Sequence, residues 1–106
     1  RDGVKQFYQS PRPDHEGHGG ESETSVALHS FPELVKREII GELSPNFDYD
    51  VEAFRNETKD YWSITDGRGY FGSPQAATAE TGAKLVAIRG RNIANVILKA
   101  WGKPKS

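Results

Sequence analysis

Hydrophobic residues recur along the chain with two different periods, and each period predicts a different kind of element. Between residues 32 and 43 the apolar side chains return every three or four positions, which predicts a helix. Between residues 47 and 53 they alternate with acidic side chains, which predicts a half-buried strand. Two shorter apolar runs, 61–65 and 70–71, lie on either side of a glycine-containing turn. Together these runs predict a three-stranded antiparallel meander.

A second helical pattern occupies the C-terminal part of the chain. The Ser-Pro pair at 73–74 is typical of a helix start, and Gly102 is typical of a helix end. The apolar stripe between them consists of Val86, Ile93, Ile97 and Trp101. Because an unbroken helix of this length is unusual in a small domain, a break near Gly82 is left open as an alternative.

These elements predict an α+β fold: a helix, the three-stranded meander and a long C-terminal helix, with the helices packed on one sheet face. The predicted core face of the sheet consists of Phe47, Tyr49, Val51, Trp62 and Ile64. Residues 9–25 contain no apolar side chain apart from proline, so residues 1–25 are predicted to be a flexible polar tail. Residues 26–106 are then a single small domain.

The composition excludes several classes of protein. The chain has no Cys, which excludes disulfides, thiolate metal sites and Cys nucleophiles, and its apolar runs are too short to span a membrane. It has no Met and begins at Arg1, so we expect a processed chain or part of a longer translation product. No cofactor and no metal site is predicted. The segment 14–18 reads DHEGH, one residue shorter between its histidines than the zinc-protease motif His-Glu-x-x-His.

The net charge of −1 conceals two halves of opposite sign: residues 1–60 sum to −6 and residues 61–106 to +5. A basic helix face suits a phosphate backbone, so the leading hypothesis is a small nucleic-acid-binding module that uses the C-terminal helix. The predicted nucleic-acid-binding residues are Arg68, Lys84, Arg89, Arg91, Asn95, Lys99, Lys103 and Lys105. A solvated helix face whose cations are stabilised by the helix dipole is the alternative interpretation. The element order also resembles that of double-stranded-RNA-binding domains, although residues 73–77 lack the Lys-rich signature of that family.

Two further hypotheses stay open beside nucleic-acid binding. Glu57-x-Lys59, downstream of Asp48 or Asp50, resembles the Asp…Glu-x-Lys arrangement of restriction-type nucleases, which favours a nuclease effector released from a larger secreted protein. The weak catalytic candidates for such an enzyme are His29, Asp50, Glu57 and Lys59. The third hypothesis is a non-catalytic interaction subunit that binds a protein partner. Its binding surface would be the acidic strand face formed by Asp48, Asp50 and Glu52.

Overall fold

The computed structural model describes residues 3–102, and regular secondary structure in this range is helical. The α-helices in chain order are α1 (Glu21–Ser30), α2 (Arg37–Ile40), α3 (Val51–Asn56), α4 (Tyr61–Ile64) and α5 (Ala79–Trp101). Single 3-10 turns lie at Lys5–Phe7, Pro13–His15, Pro32–Leu34 and Pro74–Ala76. The strand-like pairing within residues 3–102 is limited to an isolated antiparallel bridge between Asn46 and Gly72.

The predicted α+β fold with a three-stranded meander is therefore wrong for the described part of the chain. Its first two strands are instead the short helices α3 and α4, and each follows an aspartate that caps it. The Asp50 side chain accepts a hydrogen bond from the Ala53 N–H at 2.9 Å. The Asp60 side chain accepts one from the Ser63 N–H at 2.8 Å, which also lowers the pKa of Asp60. These caps stabilise a first helical turn, so the alternating pattern does not produce strands.

The helix predicted over residues 32–43 is also wrong in its extent. This stretch contains the turn Pro32–Leu34 and the four-residue helix α2, and Leu34 is 74% exposed. The helix of this region begins earlier, at Glu21, and Ser30 is its last residue. The apolar residues of 32–43 therefore do not form a stripe against the core.

The long C-terminal helix is α5, and its first half packs against α1. The Thr78 hydroxyl caps α5 by accepting a hydrogen bond from the Thr81 N–H at 3.0 Å. Leu28 of α1 and Leu85 of α5 are both buried. The helix runs through Gly82 without a break. The backbone of α1 approaches it there, so a side chain at this position would collide with the Ser25 carbonyl. The glycine serves close helix packing and does not interrupt the helix.

A small aromatic core lies beside this helix pair, with Phe71 fully buried at its centre. The Tyr49 ring stacks on the Phe71 ring at a centroid distance of 4.2 Å, and the Phe54 ring meets it edge-on at 4.8 Å. Ala53 and Ile64 complete the cluster. Trp62, which was predicted to face inward from a sheet, is 69% exposed.

The predicted division into a tail and one domain stays a prediction. The structure does give the N-terminal segment defined contacts, since Val4, Ser10, Glu21 and Ser25 are all buried. No helix within residues 3–102 has both the length and the apolar character that crossing a membrane would require.

Candidate functional site

The candidate site is the segment 15–23, which connects the 3-10 turn Pro13–His15 to the first turn of α1. It combines two histidines, three glutamates and three glycines within nine residues. Such side chains can carry protons, and the glycines allow the backbone to fold tightly around them. We refer to residues 15–23 as the His–Glu loop.

Glu16 joins the His–Glu loop to the segment that leads into α5. Its carboxylate accepts hydrogen bonds from the Glu21 N–H at 2.7 Å and from the Ser73 hydroxyl at 2.7 Å. The Ser73 N–H donates to the same carboxylate at 3.0 Å. Gly20 and Gly72 lie so close to this carboxylate that a side chain at either position would collide with it. The hydrogen bonds of Glu16 therefore hold together two segments that are distant in the sequence.

Glu21, the first residue of α1, is the second structural carboxylate of the loop. It is fully buried, and its carboxylate accepts hydrogen bonds from the backbone N–H groups of Gln9 and Ser10. Burial raises the pKa of Glu21, and the nearby Glu16 charge acts in the same direction, whereas the two backbone N–H groups lower it. The carboxylate holds the N-terminal segment against α1.

His18 differs from these glutamates because its imidazole is exposed. Its ring lies 4.5 Å from the Tyr61 ring and 6.5 Å from the Phe71 ring, measured between centroids. The His18 carbonyl accepts the Phe71 N–H at 2.8 Å, so the backbone is held while the imidazole nitrogens make no hydrogen bond within residues 3–102. His18 therefore presents a supported imidazole to solvent.

His15 and Glu23 are the remaining proton-carrying side chains of the loop. The His15 imidazole lies 2.9 Å from the Arg12 guanidinium, measured from Nε2 to Nη2. The backbone carbonyl of His15 accepts a hydrogen bond from the Tyr49 hydroxyl at 3.2 Å. Burial and the Glu16 charge raise the pKa of that tyrosine. The exposed Glu23 carboxylate accepts the Gly19 N–H at 3.2 Å. Both side chains thus help to define the loop around His18.

The four catalytic candidates from the sequence lie outside this loop. Asp50 and Lys59 come together, with their charged atoms 3.9 Å apart, next to an open cavity of about 230 Å³. Glu57 ends α3 in a left-handed conformation with φ of 54°. His29 lies exposed in the last turn of α1. A catalytic role for these residues stays a prediction.

The acidic strand face does not exist as predicted, because residues 47–53 do not form a strand. Asp48 lies 3.8 Å from the Arg12 guanidinium, whereas Asp50 caps α3 and Glu52 is in its first turn. The three carboxylates therefore do not form one row. Within residues 3–102, no group of three or more His, Asp or Glu side chains is arranged to hold a metal ion.

The predicted nucleic-acid-binding residues are distributed over different surroundings. The Arg68 guanidinium stacks on Tyr70 and donates to the Tyr70 hydroxyl at 2.6 Å. Arg89 donates to the Ser22 hydroxyl at 2.9 Å, and the Lys84 ammonium lies 5.3 Å from the centre of the Phe7 ring. The exposed members on α5 are Lys84, Arg91, Asn95 and Lys99. Lys103 and Lys105 lie outside the described residues.

In the sequence, residues 14–18 resemble a metal-binding motif, but their position in a polar segment predicts a flexible tail. The signal that could have located the site was the high density of His, Glu and Gly over 15–23. The contacts that bring Ser73 and Tyr61 to this loop join residues far apart in the sequence, and no local pattern shows them.

A family model described as Creatininase, creatinine amidohydrolase, matches residues 2–97, and this range includes the whole His–Glu loop. No curated protein sequence and no solved structure matches the chain. The helical structure and this match do not support the α+β and nucleic-acid-binding classification that the hydropathy and charge patterns suggested, whereas the nuclease-effector hypothesis stays a prediction. Because the match spans most of its length, the chain belongs to the creatininase (creatinine amidohydrolase) family.

Proposed function

We propose that this chain takes part in the hydrolysis of an amide C–N bond, with creatinine or a related cyclic amide as substrate. The observation that carries this proposal is the family match over residues 2–97. In the reaction, the oxygen of water bonds to the amide carbon and the C–N bond breaks. One proton leaves the water, and one reaches the nitrogen that departs. The reaction therefore needs a group that can both accept and donate a proton near neutral pH.

His18 is the residue that best meets this requirement. An imidazole titrates near neutral pH and is the side chain used most often for general acid–base catalysis. The His18 ring is open to solvent on the surface and is supported from behind by the Tyr61 and Phe71 rings. The backbone hydrogen bond to Phe71 keeps the residue in place while its imidazole nitrogens stay available for a substrate or water.

The two structural glutamates support this role from the other side of the loop. Glu16 links the loop to Ser73, and Glu21 links the loop to Ser10. Both carboxylates are occupied by backbone or hydroxyl donors, so neither is offered as the proton carrier. Their contribution is to fix the position of the imidazole, because small displacements of a catalytic group reduce the rate strongly.

The test measures formation of creatine from creatinine by the chain and by the His18→Gln variant. We expect the substitution to lower kcat by about 100-fold or more, because glutamine cannot transfer the proton. His29→Gln is the matched variant, since it makes the same chemical change at another exposed histidine, at the end of α1. Far-UV circular dichroism checks that both variants fold.

Two outcomes would contradict the proposal. The first is an absence of turnover of creatinine and other cyclic amides by the folded chain. The second is an equal loss of kcat in the two histidine variants, which would remove the special role of His18.

A further inference from the structure

A small cavity of about 200 Å³ lies between α1, α2 and the 3-10 turn that leads into α5. It opens to solvent, and its lining combines apolar or small residues with one cation and one amide: Leu28, Arg37, Ile40, Gly41, Gln75 and Ala77. None of these residues belongs to the His–Glu loop. The volume is below that of sites for drug-sized ligands, so a ligand here is a small molecule. We call this space the α2 cavity.

Gln75 supplies the first indication of what the α2 cavity binds. Its Oε1 atom is buried, and no group within residues 3–102 donates a hydrogen bond to it. Burial of an acceptor without a donor is costly, because the hydrogen bonds to water are lost and not replaced. The last side-chain torsion of glutamine has a broad minimum, so Oε1 can turn towards the cavity that Gln75 lines. This acceptor favours a ligand that carries an N–H or O–H donor.

Arg37, the first residue of α2, supplies the second indication. Its side chain is exposed, and its guanidinium forms no ion pair or hydrogen bond within residues 3–102. No carboxylate is among the described residues that line the α2 cavity, so the charge of this lining is positive. A guanidinium binds a carboxylate through two parallel hydrogen bonds, which favours a ligand that carries a carboxylate.

We propose that the α2 cavity binds a small aliphatic amino acid. The carboxylate of the amino acid pairs with Arg37, and its ammonium group donates to Oε1 of Gln75. Its side chain packs against Leu28, which is buried, and against Ile40 and Ala77, which are half-buried. An amino acid provides partners for both polar groups at once, whereas a simple fatty acid or a simple amine provides only one. This proposal does not depend on the proposed function.

Nuclear magnetic resonance of the full chain tests the binding, with L-valine as the probe. Titration with valine should shift the backbone amide signals of Gly41 and Ala77, which line the cavity, until they reach saturation. The amide signal of Gly90 serves as the reference, since this residue lies on α5 outside the cavity, and it should stay in place.

Two analogues of valine separate the polar contacts. 3-Methylbutanoate keeps the carboxylate and the aliphatic group but lacks the ammonium group, and L-valinamide keeps the ammonium group but lacks the carboxylate. Each should bind about 10-fold more weakly than valine, because each leaves one polar group of the cavity without its partner.

Substitutions test the two polar residues separately. Arg37→Gln should raise the dissociation constant of valine about 10-fold or more, because the charge-assisted pair is lost. Lys36→Gln is the matched control: it removes the same charge from the neighbouring exposed residue, which does not line the cavity, and should leave the constant unchanged. Gln75→Leu keeps a similar size but removes the amide, and it should raise the constant about fivefold. Circular dichroism checks that the three variants fold.

The absence of saturable shifts at Gly41 and Ala77 in the folded chain would overturn the proposal. So would equal binding of valine and 3-methylbutanoate, or equal weakening by Arg37→Gln and Lys36→Gln, which would reduce the effect to general charge attraction. A crystal structure in which a water molecule bonds to Oε1 of Gln75 and valine does not displace it would also overturn the proposal, and it would assign the buried oxygen to solvent.

Discussion

The two halves of α5 belong to one continuous helix but have different surroundings. In the first half Thr81, Gly82 and Leu85 are buried, and a glycine allows α1 to come within van der Waals distance. In the second half the larger side chains Ile93, Ile97 and Trp101 are exposed. A threonine and a glycine are therefore buried in the first half, whereas large apolar side chains of the second half are exposed. Burial here follows the close approach of a neighbouring helix, which small residues permit, and not the hydrophobicity of the stripe.

The test with the largest expected effect truncates one aliphatic residue in each half of α5 and compares the losses of stability. Leu85→Ala should lower the free energy of unfolding by about 3 kcal/mol, because Leu85 is fully buried and its loss leaves a cavity. Ile93→Ala should cost less than about 1 kcal/mol at concentrations where the chain is monomeric, because the side chain is already in water. Urea denaturation measures both. Equal losses would mean that the two halves are buried alike.

A second test uses the two glycines of α5, where the same substitution should act in opposite directions. Gly82→Ala should destabilise the fold by about 2 kcal/mol, because the added methyl group meets the Ser25 carbonyl. Gly90→Ala should stabilise the monomer by about 0.5–1 kcal/mol, because the surrounding space is open and alanine favours the helix. Thermal unfolding of the monomer detects both shifts. A destabilised Gly90→Ala monomer would contradict an open environment at this position.

The smallest expected effect is a pH dependence of stability that comes from Glu21, the first residue of α1. The first half of α5 packs against this helix. Burial raises the pKa of Glu21 above its usual 4.5, so the folded state binds more protons there than the unfolded state. Stability contributed by the protonated carboxyl is complete below pH 4.5 and is lost as the pH rises through the folded pKa. Glu21→Gln should lack this decrease. A titration of unfolding free energy in urea compares the two slopes, and identical slopes would remove Glu21 as the cause.

Asp60 provides a contrast with Glu21 because its pKa is lowered, mainly by the Ser63 N–H. Its contribution to stability is therefore present above the usual value of 3.8 and is lost as the pH falls through the folded pKa. The two carboxylates act in different pH windows, so the Glu21 slope can be measured without interference from Asp60.

Part of the fold could be predicted from sequence, and the errors have identifiable causes. The apolar spacing and the terminal glycine of the C-terminal region indicated a long helix, and α5 occupies most of that region. The alternation over 47–53 indicated a strand, but Asp50 caps a helix there. A period-two pattern and a helix cap compete over the same few residues, and in a stretch this short the cap hydrogen bond decides the conformation.

The candidate site was only partly predictable. Residues 14–18 were recognisable as a group of His and carboxylate side chains, but without apolar residues nearby they indicated a tail. The hydrogen bonds of Glu16 to Ser73 and of Glu21 to Ser10 supply the order that hydrophobic burial does not. Polar contacts over such sequence separations leave no periodic signal, so local sequence patterns do not show them.

Local sequence determined that residues 79–101 form a helix with an apolar stripe and a basic face, because side-chain spacing and capping act within a few turns. Which side of that helix is buried was decided by tertiary structure. The contact surface of α1 reaches Gly82 and Leu85 but ends before Ile93, so the stripe predicted to face a sheet lies in solvent. In the same way the sequence contains His18, whereas only folding brings Tyr61 and Phe71 behind its imidazole. A periodic pattern of apolar residues determines which side of a helix is apolar. Which part of the protein packs against that side depends on residues that are distant in the chain.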